Sequence, residues 1–186
     1  MVNETPSEPG RLSADDELAA LRIIAEGTAN ETGDAFFRTL VEHLARAIGT
    51  HHAFIARFIP PQSICTLAYW SDGGLVPNIE YELPGTPCAE VVHGSLCFYP
   101  RGLEEKYAES EPGIQSYLGV PLISTDGRIL GHLCAFEESP MADPPRTLAI
   151  SQRRVFARVG PILASYRRSS QAHHCRQPWE ATTCCA

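Results

Sequence analysis

Apolar residues recur along this chain first with the period of a helix and then with the period of a strand. Between Asp34 and Gly49 a single stripe has helical spacing, formed by Phe37, Leu40, Val41, Leu44 and Ile48. The stripe predicts an amphipathic helix that begins near Asp34 and ends at Gly49. The capping pattern of Ser13 with Asp16 predicts a shorter helix over residues 14–26.

Alternation of apolar and polar residues replaces the helical period after residue 50. It predicts strands over residues 52–59, 64–70 and 79–83. Two further strands, 117–123 and 128–136, flank a Thr-Asp-Gly turn and read as a hairpin. Short helical segments are expected at 88–93 and 103–109, and a long final helix is expected to be kinked at Pro161.

This order of elements predicts one α+β domain with a central antiparallel sheet of five to six strands. The domain is expected to span residues 13–168. Residues 1–12 and 169–186 lack periodicity and are expected to be disordered tails.

The chain has 186 residues, of which 44% are apolar and 20% are charged, as in a globular protein. Its 22 acidic and 15 basic residues give a net charge of −7, which disfavours binding to nucleic acid. No apolar run reaches the ~18 residues that a membrane span needs. The first residues have neither a basic start nor an apolar segment, so we expect a cytoplasmic protein.

The turn at Thr86-Pro87-Cys88 offers the best candidate for chemistry. Thr86 as N-cap and Pro87 at the first helical position would start a helix whose free N–H groups lower the pKa of a nearby thiol. Cys88 would then face a ligand or react. The alternative is that Cys88 only packs this helix onto the sheet.

Other side chains could line a cavity with Cys88. Cys97 and Tyr99 alternate on a short strand, and His132 lies mid-strand, where it could bind an anion or sense pH. The further wall candidates are aromatic, namely Tyr69, Tyr81 and Tyr117. Each of these residues could instead be core. A thiolate–imidazole metal site with Cys134 lacks any local pairing of ligands, and no catalytic residue or motif for an enzyme is found.

Three segments resemble the GAF domain family. They read YELPGTPCAEVV at 81–92, SYLGVPL at 116–122 and LGHL at 130–133, and Cys97-Phe98-Tyr99-Pro100 and Pro140-Met141 stand between and after them. The likeness is to a bacterial group found in sensor kinases and cyclic-dinucleotide signalling proteins, and it covers residues 15–168. It implies N- and C-terminal helices on one face of the sheet and a small-molecule pocket on the other.

The resemblance also implies a function. It implies a sensor that binds an unidentified small molecule, dimerises through its terminal helices and signals to a separate output protein, as in two-component systems. The ligand-binding residues would be Tyr69, Tyr81, Thr86, Cys88, Cys97, Tyr99, Tyr117 and His132. The cyclic-nucleotide motif NKxFDE is absent, and residues 113–116 lack the cysteine of the free methionine sulfoxide reductase branch.

Two alternatives stay open. The first is a thiol-based redox sensor or reductase that uses Cys88 with Cys97 as its resolving partner. The second is a dimerisation module without a pocket, in which Phe, Tyr and Leu side chains fill the space between the sheet and residues 84–115. In the dimeric sensor that the resemblance implies, apolar residues of the end helices would pack on the sheet and form the dimer seam, namely Leu18, Leu21, Ile24, Leu148, Val155 and Val159, with Phe156 and Ile162 as additions.

Overall fold

A computed structural model describes residues 33–124 and 126–141. The helix expected over residues 14–26, the final helix, the dimer seam and both tails lie outside the described residues. The described helices are α1 (Gly33–Ile48), α2 (Pro87–Val91) and α3 (Leu103–Tyr107). The described strands are β1 (His52–Ile59), β2 (Ser63–Ser71), β3 (Gly74–Val76), β4 (Glu80–Glu82), β5 (Cys97–Tyr99), β6 (Ser116–Ile123) and β7 (Ile129–Glu137).

The strands form one antiparallel sheet in the order β3-β2-β1-β7-β6-β5, and β4 pairs separately with β2. The predicted antiparallel α+β architecture is therefore confirmed. The sheet has seven strands because Gly74–Val76, which reads as the end of a turn, forms a short edge strand on β2. The hairpin of β6 and β7 pairs along its full length, as its turn signal predicts.

Helix α1 covers one face of the sheet. Its apolar stripe is buried, with Phe36, Phe37 and Leu40 each at most 1% exposed. The stripe packs against sheet residues that include Ile55 and Leu133. Because successive strand residues point to opposite faces, their neighbours Phe54 and Cys134 belong to a second apolar cluster on the other face.

That other face is covered by residues 83–115, here called the roof segment. It contains α2, β5 and α3, and it is joined to the sheet edge by the pairing of β5 with β6. Its buried side chains include Leu83, Val91 and Leu103, which pack with Phe54 of β1. Apolar side chains therefore occupy much of the space between roof and sheet.

Gly131 allows β1 and β7 to approach closely. A Cβ atom on this residue would lie 1.9 Å from the carbonyl oxygen of Ala56, which no side chain can tolerate. The approach coincides with a register shift between Ile55 and Ala56 in β1. The glycine of the LGHL segment is thus required by the backbone of the sheet. None of the helices in the described part of the chain is long and apolar enough to cross a membrane.

Candidate functional site

Three side chains from different elements meet beneath the roof segment. The hydroxyl of Tyr81, on β4, lies 3.1 Å from the Sγ atom of Cys88, on α2. The hydroxyl of Tyr117, on β6, lies 3.2 Å from the same sulfur atom. Cys88 and Tyr117 are only 2% and 3% exposed. The thiol is therefore held between two phenols out of contact with bulk water.

His132 adds an imidazole to this group. It lies in the middle of β7, is fully buried and contacts the ring of Phe54 edge-on, with 5.4 Å between ring centroids. The Cys88 thiol is a hydrogen-bond partner for at most one of its ring nitrogens, so at least one ring nitrogen is unpaired within the described residues. Buried imidazole nitrogens normally find partners, because an unpaired one has lost its hydration without replacement.

Cys134 and Glu111 complete what we call the inner cluster, with Tyr81, Cys88, Tyr117 and His132. Burial alone would raise the pKa of the Cys88 thiol, but its hydrogen bond with Cys134, together with its attraction and hydrogen bond to His132, holds that pKa well below its usual range. Burial and the same hydrogen bond raise the pKa of Cys134. Burial, with the negative charge on Cys88, raises the pKa of Glu111 to about 8.

Gly119 leaves the space that the Tyr117 hydroxyl occupies in the inner cluster. A Cβ atom on Gly119 would lie 2.5 Å from that hydroxyl and 2.5 Å from a methyl group of Val91. Gly119 lies two residues beyond Tyr117 on β6, on the same face of the sheet. The glycine of SYLGVPL therefore makes room for the phenol that contacts Cys88.

A second polar group lies in the roof segment and is called the Glu90 cluster. The Glu90 carboxylate accepts hydrogen bonds from Tyr99, Tyr107 and Cys97, and it pairs with the Lys106 ammonium at 2.6 Å. Lys106, and next Tyr107, lower the pKa of Glu90 to about 2. Burial and the contact with Glu90 raise the pKa of the Cys97 thiol to about 12.

The eight predicted ligand residues are thus divided by the structure. Tyr81, Cys88, Tyr117 and His132 meet in the inner cluster, whereas Cys97 and Tyr99 belong to the Glu90 cluster. Tyr69 packs edge-on against Phe54, with 5.8 Å between ring centroids, and burial raises its pKa to about 12.

Thr86 stands at the predicted N-cap of α2, and Pro87 opens the helix. The Thr86 hydroxyl makes no capping bond, however. It donates to the carbonyl oxygen of Leu83 at 2.7 Å and so closes the turn before the helix.

Sequence reasoning missed the carboxylates of both clusters. Glu90 and Glu111 stand among other acidic residues of the roof segment, and only the fold shows that Glu111 lies near Cys88 and that Glu90 collects the hydrogen bonds of Tyr99, Tyr107 and Cys97. Nothing in the sequence pattern marked Lys106 or Tyr107 as site residues either. Among the described residues, no group of three or more His, Cys, Asp or Glu side chains is arranged to hold a metal ion.

The family model of the GAF domain matches residues 32–155, and the chain belongs to this family. The match spans the sheet, helix α1 and the whole roof segment. None of the curated protein sequences is significantly similar to the chain.

Solved structures share the fold at low sequence identity. The GAF domain of the Acinetobacter phosphoenolpyruvate-protein phosphotransferase is 15% identical, with 84% of this chain and 98% of that one covered at a TM-score of 0.64. The free methionine-R-sulfoxide reductase of Neisseria meningitidis is 19% identical, with 86% and 96% covered at 0.65. The chromophore-binding domain of Stigmatella aurantiaca phytochrome P1 is 15% identical, with 86% and 64% covered at 0.62.

Proposed function

We propose that this GAF domain is a sensor that binds a small molecule at the inner cluster. The observation that carries the proposal is His132, a fully buried histidine that has the Cys88 thiol as a partner for at most one ring nitrogen, which leaves the other unpaired within the described residues. Leaving one buried polar group without a partner costs on the order of 1–3 kcal/mol. A bound molecule with hydrogen-bonding groups would supply the missing partner.

The chemistry of the inner cluster limits the ligand. Tyr81 and Tyr117 provide hydroxyl groups, His132 provides a ring that can donate or accept, and Glu111 with its raised pKa provides a protonated carboxyl near neutral pH. Phe54 adds an apolar wall. This combination suits a small, flat molecule with a polar edge.

The alternative of a pocketless dimerisation module has one observation in its favour, the packing of Phe54, Leu83 and Leu103 between sheet and roof. A core whose only task is packing gains nothing from a buried histidine with an unpaired ring nitrogen and a thiol held between phenols. We therefore infer that these apolar side chains close over the ligand site, and that the roof segment must shift when a ligand enters.

Signalling would follow from that shift. Strands β1 and β7 carry inner-cluster contacts on one face and pack against α1 on the other, through alternate residues such as Cys134 and Leu133. A ligand that favours one position of these strands changes the populations of two helix packings by its differential affinity for them. We propose that the terminal helices form a homodimer in the cytoplasm and pass this change to a separate signalling protein.

Native mass spectrometry of the freshly purified chain tests the proposal. We expect an added mass from a co-purifying small molecule that is released on unfolding, and its loss in His132→Leu. The matched control is His52→Leu, because His52 is also a buried strand histidine but already has Ser71 as a partner at 3.0 Å. An added mass that is unaffected by His132→Leu, or absent from the wild-type chain, contradicts the proposed site.

A thiol redox sensor is the second candidate, favoured by the contact of Cys88 with Cys134. A peroxide would oxidise the Cys88 thiolate to a sulfenic acid and leave as an alcohol or water, and the Cys134 thiol would then form a disulfide with release of water. Cys97 is less suited as the resolving partner, because its thiol donates to Glu90 and has a raised pKa. If one equivalent of peroxide leaves both the Cys88 and the Cys134 thiol titratable, this candidate is eliminated.

A further inference from the structure

The Cys88 sulfur atom has more hydrogen-bond partners than a thiol can serve with its one proton. The hydroxyl groups of Tyr81 and Tyr117 lie 3.1 and 3.2 Å from it. The Cys134 thiol and the His132 ring also form hydrogen bonds with it. A thiol donates to one partner, so the remaining partners must donate to the sulfur. Donors that converge on one sulfur atom stabilise the thiolate, which is the nucleophilic form of cysteine.

The other two free thiols of the described residues lack this environment. The Cys97 thiol itself donates to the Glu90 carboxylate at 3.3 Å, and burial together with that contact raises its pKa to about 12. Burial and the hydrogen bond with Cys88 raise the pKa of Cys134. Of these three thiols, Cys88 is therefore the one best placed to act as a nucleophile.

His132 is placed to take up the Cys88 proton and to return it to a bound molecule. The ring is fully buried, contacts the Cys88 thiol and keeps at least one nitrogen unpaired within the described residues. An imidazole beside a nucleophile, with a hydrogen-bonding position to spare, is suited to pass a proton between the nucleophile and its target. The molecule that fits here has one atom that the sulfur can attack and a neighbouring atom that accepts a proton.

A carbonyl group has these two atoms side by side. When a thiolate attacks the carbonyl carbon, negative charge develops on the oxygen, and preorganised donors stabilise it. The hydroxyl groups of Tyr81 and Tyr117 are such donors. They can turn from the sulfur to the oxygen because sulfur becomes a weak acceptor once it is bonded to carbon.

Space at the sulfur favours the smallest carbonyl compounds. Cys88 is 2% exposed, and its surroundings are so closely packed that a Cβ atom on Gly119 would lie 2.5 Å from both Val91 and Tyr117. An aldehyde carries hydrogen as one of its two substituents, so it needs less room than a ketone, and its carbon is attacked more readily. An amide or an ester is stabilised by resonance and adds a thiol poorly.

We propose that the inner cluster captures a small aldehyde as a reversible hemithioacetal on Cys88. His132 takes the thiol proton, and the sulfur forms a bond to the carbonyl carbon. The π electron pair of the carbonyl moves to the oxygen, which takes the proton back from His132. The step joins the two molecules without a leaving group, an oxidant or a reductant, and its reversal releases the aldehyde. The inference rests on the proposed ligand site and names the class of molecule bound there.

¹³C NMR of the full chain with propanal labelled with ¹³C at its carbonyl carbon tests the inference. We expect a saturable signal from a carbon bonded to both sulfur and oxygen, with an affinity at least about tenfold higher than that of N-acetylcysteine in the same buffer. Cys88→Ser should lose this tight signal. The matched control Cys97→Ser changes another buried thiol of the roof segment and should keep it. Lys106 is the one lysine of the chain, so Lys106→Arg excludes an imine on a side chain as the source.

His132→Leu provides the second readout. With its folding shown by circular dichroism, it should bind propanal at least about tenfold more weakly than the wild type, because the new oxygen is left without its proton donor. The inference is overturned if the wild type binds no more tightly than N-acetylcysteine, if the tight signal persists in Cys88→Ser, or if His132→Leu binds as tightly as the wild type. In each of these cases a co-purifying molecule that is lost in His132→Leu would still support the ligand site, so the two proposals fail separately.

Discussion

Glu111 should make the stability of the fold depend on pH in a direction unusual for a carboxylate. Burial, with the charge of Cys88, raises its pKa from 4.5 to about 8. The unfolded chain therefore releases this proton near pH 4.5, whereas the folded chain keeps it until about pH 8. Because the folded state binds more protons throughout this interval, stability falls as the pH rises through it.

The size of the effect follows from the proton balance. A difference of one bound proton changes the free energy of unfolding by at most about 1.4 kcal/mol per pH unit. Glu111→Gln removes the titrating group but keeps an amide of nearly the same size. Between about pH 5 and about pH 7.5, we expect the stability of the variant relative to the wild type to increase by roughly 3 kcal/mol. Urea unfolding followed by circular dichroism, at steps of half a pH unit, measures this difference in the free energy of unfolding.

The control is Glu109→Gln, which removes an exposed carboxylate two residues away. The free energy of unfolding of this variant should depend on pH in the same way as that of the wild type. Cys88→Ala removes the negative charge that contributes to the raised pKa of Glu111, so it should lower that pKa and narrow the pH interval over which stability falls, without abolishing the fall. If the wild type and Glu111→Gln have parallel pH profiles, Glu111 is not buried beside Cys88, and the inner cluster is wrongly composed.

Three further changes test other parts of the structure. Gly119→Ala should push the Tyr117 hydroxyl off Cys88 and destabilise the fold by about 1–3 kcal/mol, measured by urea unfolding. Leu40→Ala opens a cavity between α1 and the sheet and should cost about 2–5 kcal/mol in the same assay. Hydrogen bonding to Glu137 raises the pKa of His51 above 6.5, and His51 in turn helps to lower the pKa of Glu137 below 4.5. His51→Gln should therefore destabilise most between these two pH values, and the loss should vanish as the pH rises through the raised pKa of His51; a loss that is the same at every pH contradicts the ion pair.

Periodicity was sufficient to predict the elements that carry the sheet. The stripe ending at Ile48 predicts α1 to within a residue, and the alternation over residues 52–59 predicts β1 without error. These predictions succeed because each element buries one face, and burial imposes its period on the sequence. The short strand β3 was missed because Gly74–Val76 is too brief to show any period, and it exists only through its pairing with β2.

The site was predictable only in part, because its members are distant in sequence. The GTPC turn pointed to Cys88 through the chemistry of a helix start, but the contacts of that thiol with Tyr81 and Tyr117 depend on how three elements pack. Sequence reasoning placed Cys97 in the same cavity as Cys88 because Cys97 and Tyr99 alternate on the short strand that follows. The structure instead brings Cys134, on β7, to Cys88 and places the Cys97 thiol against the Glu90 carboxylate.

The roles of Gly119 and Gly131, the glycines of the SYLGVPL and LGHL segments, also depend on packing that the sequence does not show. A Cβ atom on Gly119 would collide with Tyr117, and one on Gly131 would collide with the backbone of β1. Neither residue has the positive φ by which a turn glycine is recognised. Their roles are set by the close approach of Tyr117 and Val91 to Gly119 and of the β1 backbone to Gly131, which a single sequence does not show.

The most direct test of ligand binding at the inner cluster is the ¹⁵N NMR spectrum of the His132 ring. It would be recorded on the chain as purified and again after the chain has been unfolded, freed of small molecules by dialysis and refolded. We predict that the ring nitrogens of His132 shift between the two spectra, because a hydrogen-bonded ligand has been removed, while those of His52, already paired with Ser71, stay unchanged. Identical His132 signals in both spectra would contradict the proposed ligand site.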